Sequence, residues 1–149
     1  MKKFFSSFMF AVFFLYPFIT KAQKPVFNHL AVYVTDLQRS TQFYRDVIGL
    51  DTIPEPFHDG RHTWFGIGPT GHLHVISGAT SQAVRPKDNH LCFSVPSVDE
   101  FVKRLHKARV PYEDWAGKSQ SVTTRVDGVK QIYFKDPDGY WIEVNDAKQ

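Results

Sequence analysis

The chain has 149 residues, with 18 basic and 15 acidic side chains, seven histidines and one cysteine. Lys2, Lys3 and Lys21 belong to an acid-free leader, so residues 23–149 carry 15 charges of each sign and offer no basic surface for nucleic acid or anionic lipid. A single thiol, Cys92, excludes an intramolecular disulfide, and the remaining length is one domain's worth of chain, able to bury a core without one.

The leader comes first. Lys2 and Lys3 precede an apolar run from Phe8 to Ile19, and Thr20-Lys21-Ala22 supplies the small residues a signal peptidase requires. Residues 1–22 read as a secretory signal cleaved before Gln23. The run falls short of the roughly 20 residues needed for a membrane span and contains Pro17. The expectation is an exported domain, placed in a bacterial periplasm and free of the membrane after cleavage.

Phe27 to Val34 alternates as a strand. Asp36 then caps a helix whose apolar face is Leu37, Tyr44, Val47 and Ile48, ending at Gly49. Short strands are expected over 50–53, 63–66 and 72–76, with a turn at Gly68-Pro69-Thr70-Gly71, followed by a polar connector over 77–88. The plan then repeats. Asn89-His90-Leu91 echoes Asn28-His29-Leu30 at a spacing of 61 residues. Ser97 opens a capping box, and Val98, Phe101, Val102 and Leu105 form the second helix face. Asp136-Pro137-Asp138-Gly139 matches the earlier turn at a spacing of 68. A strand, a helix and three strands, used twice, give a fused duplication, with module one over about 26–78 and module two over about 88–146.

The final strand, Trp141 to Asn145, carries a carboxylate, Glu143, within an apolar run. Such a group needs a cationic partner or water. His29 and His90 open the first strand of each module, and His74 lies on the last strand of module one. If the modules are related by a pseudo-twofold axis, these three imidazoles and Glu143 converge as a plausible ligand set for one divalent metal (Zn, Ni, Mn, Co or Fe(II)). His72 shares the strand face of His74, so periodicity leaves the choice between them open. His58, His62 and His106 have no repeat partner and read as surface residues, and Cys92 as a small core residue.

Four segments resemble the vicinal-oxygen-chelate superfamily, which includes glyoxalase I, the fosfomycin-resistance thiol transferases, extradiol dioxygenases and bleomycin-resistance proteins. They are Asn28 to Leu37, Phe43 to Leu50, Asn89 to Val95 and Tyr133 to Glu143. The resemblance implies an α+β fold of paired βαβββ modules cupped around a metal, with His29, His90 and Glu143 as ligands and His74 at a fourth position that is usually glutamate in bacterial glyoxalase I. The implied function is a glyoxalase I-like lyase or isomerase acting on a small molecule with vicinal oxygens. Glu143 and His74 are the catalytic candidates, and Tyr33, Arg61, Arg125, Lys130 and Tyr133 the substrate-binding ones. Alternatives are a non-haem Fe(II) dioxygenase, a fosfomycin-resistance-like thiol transferase and a metal-free binder of the bleomycin-resistance kind. Open sheet edges point to a homodimer.

Overall fold

In the computed structural model, which describes residues 23–82 and 84–148, the duplication becomes two four-stranded sheets. The leader assigned to residues 1–22 lies outside the described residues. Module one runs β1 (His29–Val34), α1 (Leu37–Phe43), a π-helical turn (Tyr44–Ile48), β2 (Thr52–Ile53), β3 (His62–Ile67) and β4 (Gly71–Ser77). Module two runs β5 (His90–Ser94), α2 (Val98–Ala108), β6 (Thr123–Thr124), β7 (Lys130–Lys135) and β8 (Trp141–Asn145). The sheet orders are β1-β4-β3-β2 and β5-β8-β7-β6, so the same plan is used twice, and the first strand of each module lies at a sheet edge. This is the α+β architecture of paired βαβββ modules expected from the sequence.

The caps behave as their chemistry requires. Asp36 accepts from the Arg39 amide at 3.0 Å, and Ser97 accepts from the Glu100 amide at 3.3 Å. The first helix ends at Gly49, whose φ of +89° suits a residue without Cβ. Arg104 of α2 reaches across to donate to the carbonyl of Ile48 at 3.1 Å, satisfying an acceptor that the helix end leaves unpaired.

Alternation along the strands sends one face of each sheet into a shared core. Val32, Val34, Leu73 and Val75 come from module one, and Ile132, Phe134, Ile142 and Val144 from module two; all are buried. They pack with Phe43, Tyr44, Phe101 and Leu105 from the helical segments in one apolar cluster. Each such side chain contributes roughly 1.5–3 kcal/mol by leaving water. The β7–β8 turn is the seam between modules. Asp138 accepts from the Thr35 amide and hydroxyl, both at 2.7 Å, and from the Ser40 hydroxyl at 2.7 Å. Asp136 accepts from the Tyr44 hydroxyl at 2.8 Å and from the amides of Asp138 and Tyr140.

These two buried acids respond differently. At Asp138 burial favours the neutral form, but the bonds from Ser40 and Thr35 and the charge of Arg39 outweigh it, and its pKa lies below the ordinary value. At Asp136 burial prevails over its hydrogen bonds and the pKa is raised.

Candidate metal centre

The faces turned away from the core carry the chemistry. On sheet one, strand register sets His29 opposite His72 and Ala31 opposite His74. On sheet two, His90 stands opposite Trp141 and Cys92 opposite Glu143. His74 is therefore the counterpart of Glu143, and His72 the counterpart of Trp141. Register thus distinguishes two positions that periodicity alone left equivalent.

Within module two, Nδ1 of His90 donates to the Lys87 carbonyl at 2.8 Å, since a carbonyl can only accept. In the neutral ring this leaves a lone pair on Nε2, which lies 3.2 Å from Glu143 Oε2. Two electron-rich atoms at this spacing need a cation between them or a shared proton. The spacing is also that of adjacent ligands on one ion, each bonded at about 2.0–2.2 Å. Glu143 is 7% exposed, and both its oxygens are held: Oε2 by the Tyr133 hydroxyl at 2.6 Å, Oε1 by the Asn145 amide at 2.8 Å. Burial alone would raise its pKa. Bonds from Tyr133, Asn145 and Cys92 more than reverse this, and the carboxyl titrates below its usual range. Burial, followed by the bond to Glu143, raises the Tyr133 hydroxyl pKa, so it remains a proton donor.

Module one is built differently. Nδ1 of His29 lies 2.7 Å from Asn28 Oδ1, which again frees Nε2. The His29 ring stacks on His74 at 4.3 Å, and His74 stacks on Trp64 at 3.9 Å with only 4° between their planes. His74 is buried, and its Nε2 has no hydrogen-bond partner among the described residues. Burial first, then the neighbouring His29, His72 and His62, lowers its pKa and keeps the ring neutral. An orphaned buried imidazole nitrogen is costly unless something accepts its lone pair.

The donor types and tethered tautomers fit a divalent ion, but as two half-sets. Among the described residues, no group of three His, Cys, Asp or Glu side chains lies close enough to hold an ion. The expectation that His29, His74, His90 and Glu143 converge within one chain is not met. The reason lies in the packing: the modules join through their helix-covered faces and the Asp136–Asp138 seam, which leaves each ligand pair on its own sheet.

The other candidates divide. Tyr133 belongs to the Glu143 cluster. Tyr33 is half-exposed on the His29 face of β1. Arg125 pairs with Asp127, yet its charge is felt by both Cys92 and Tyr133, which places it near sheet two's open face. Arg61 donates to the Ser77 carbonyl at the end of β4. Lys130 pairs with Asp99 of α2, on the face of β7 opposite Tyr133, so it is removed from the site; strand alternation already separated the two. Cys92 lies on the ligand face instead of in the core, and partial burial of its thiol together with the Glu143 charge pushes its pKa up to about 11. His62 is not a simple surface residue: its Nδ1 is tied to Asp59 at 2.8 Å, and it shares a cavity with His29 and His74. Trp64 and Asn145 were missed as site residues. Both lie on the ligand face by alternation; strand pairing sets Trp64 against His74, while Asn145 reaches Glu143 two residues away on its own strand.

The family model of the Glyoxalase/Bleomycin resistance protein/Dioxygenase superfamily matches residues 26–144. The chain is 30% identical over 128 residues to Lactoylglutathione lyase of Salmonella typhimurium, covering 80% of this chain and 91% of that one. It is 30% identical over 122 residues to Metallothiol transferase FosB of Shouchella clausii, with 79% and 77% coverage. The solved structure of Oxidase ChaP-H1 superposes with a TM-score of 0.68 at 27% identity, covering 84% of this chain and 98% of that one. With that match spanning both modules, the chain belongs to the Glyoxalase/Bleomycin resistance protein/Dioxygenase superfamily.

Proposed function

We propose that this is an exported, metal-dependent, glyoxalase I-like lyase or isomerase, working as a homodimer on a small molecule with vicinal oxygens. One observation carries the reading. The chain presents two complementary half-sites, His29 with His74 and His90 with Glu143, each with free donor atoms and neither sufficient alone. In a twofold dimer, the first pair of one copy meets the second pair of its partner, and two identical four-ligand sites form. The unpaired edge strands β1 and β5 and the exposed Phe27 and Tyr33 give such a dimer surface to bury.

A divalent ion held there supplies Lewis acidity toward two neighbouring substrate oxygens. The remaining roles fall to the side chains. Tyr133 and Asn145 hold Glu143 in one orientation as a carboxylate. Glu143, held as a carboxylate, is the group placed to accept a proton at the substrate carbon, and His74, kept neutral by burial, can do so where its Nε2 is not a ligand. The names of the Lactoylglutathione lyase and Metallothiol transferase relatives favour lyase or transferase chemistry. A second reading, oxygenation at a two-histidine, one-carboxylate face with Fe(II), is favoured by the likeness to Oxidase ChaP-H1; oxygen uptake with a catechol after anaerobic Fe(II) loading separates it from isomerisation.

The test is complementation. His29→Ala and Glu143→Gln chains are each expected to bind little metal. Co-refolded in equal amounts, they should regain about a quarter of wild-type metal, because half of the dimers are mixed and each mixed dimer has one intact site. No recovery in mixed dimers overturns the shared site. The mass of protein recovered from the periplasmic fraction checks cleavage before Gln23.

A further inference from the structure

Beside the His29–His74 pair lies a cavity of about 580 Å³, contiguous with these two ligands. Its walls beyond them are Phe57, Trp64 and Ile76, with Asn28 and the imidazoles of His62 and His72. Phe57 sits over this group at 5.0 Å from the His62 ring and 5.8 Å from the Trp64 ring, and 60% of it is exposed toward solvent. Among the described residues no lysine or arginine lines the cavity. Arg61, a candidate for holding an anion, is instead turned to the Ser77 carbonyl. A glutathione adduct brings two carboxylates, and this wall offers them no counter-charge. It offers flat apolar surface edged with imidazole nitrogens. The Trp64 indole N–H is buried and without an acceptor among the described residues.

Building on the metal-centre reading above, we infer that the substrate carries, next to its vicinal oxygens, an uncharged planar aromatic group that packs in this cavity against the exposed ring of Phe57 and beside Ile76. The chelating end addresses the His29–His74 side of the cavity, and the ring fills the wall beyond it. Aromatic pairs favour such edge-on and offset contacts over sandwich stacking. His62, held by Asp59 through Nδ1, and His72 can then hydrogen-bond to polar substituents on the ring.

Two hydroxamates test this, since both chelate through neighbouring oxygens and differ only in phenyl against methyl. Titrated calorimetrically into the Zn(II)-loaded dimer, benzohydroxamate should bind at least about tenfold more tightly than acetohydroxamate. Phe57→Ala, an exposed position whose loss leaves the core intact, should weaken benzohydroxamate about fivefold and leave acetohydroxamate within about twofold. Equal affinities, or a Phe57→Ala variant with unchanged preference, overturn this inference alone. If neither hydroxamate binds the loaded protein better than the metal-free protein, the metal reading falls together with it.

Discussion

The two modules share a scaffold and divide the chemistry. At equivalent register positions, module one has His74 opposite Trp64, and module two has Glu143 opposite Tyr133. Ala31 and Ile76 in the first correspond to Cys92 and Asn145 in the second. One ligand is therefore fixed by ring stacking in an apolar wall, the other by hydrogen bonds in a polar cluster. Each device suits its group. A neutral imidazole tolerates desolvation and aligns by its flat face, whereas a buried carboxylate must be bonded to remain charged. The duplication copied the backbone that places a ligand, while the neighbours that orient it diverged.

If that contrast holds, the polar half should be the more sensitive. Glu143→Gln removes the sole carboxylate from the ligand set and should weaken metal binding more than about 100-fold, since changes to groups that merely support a ligand already cost 10–100-fold. Metal content after dialysis checks this, and the melting temperature should barely move because the core is untouched. Retained metal would leave module two without its assigned part.

The seam that separates the half-sites gives the next effect. Asp138→Ala strips three acceptor contacts and should cost about 2 kcal/mol, or roughly 8 °C in melting temperature. The folded pKa of Asp138 is depressed, so its contribution is complete above the unfolded aspartate pKa near 4 and is lost as pH falls through the lower folded value. In urea unfolding, the gap between wild type and Asp138→Ala should therefore narrow as pH drops below about 4. Asp136, with a raised pKa, acts in the opposite sense: lowering the pH through its folded value relieves a buried charge.

The smallest effect sharpens the assignment in module one. His74→Ala should weaken metal binding about tenfold, and His72→Ala less than about twofold, measured by competition with a chelating dye. The reverse order would mean that register has been misapplied.

Most of the scaffold was legible in the sequence because it rests on local signals. Asp36 and Ser97 announce their helices, Gly49 ends the first, and the Asn-His-Leu echo exposes the duplication. The ligand types were legible too, as polar groups recurring at matched strand positions. What was hidden is non-local. Asp136 and Asp138 look like ordinary turn residues, since a β-turn asks for nothing more, and only their burial against Thr35, Ser40 and Tyr44 shows that they set how the modules meet. That packing decides whether four ligands meet within a chain or form two pairs. Trp64 was hidden for a related reason: alternation gives the face, but its cross-strand partner His74 comes from pairing, whereas Asn145 lies two residues from Glu143 on the same strand and was within reach of alternation alone. Lys130 was a different kind of miss, because its even position opposite Tyr133 could have been read from parity.

The turn that locks β7 to β8 also joins the halves of the gene product into one cooperative unit. Its acids reach into the start of the first helix, so a chimera that swaps one module for that of a distant relative must carry both sides of the Asp138–Thr35–Ser40 contact or leave a carboxylate stranded in the interior. Each half of this duplicated chain has become the template on which the other completes its fold.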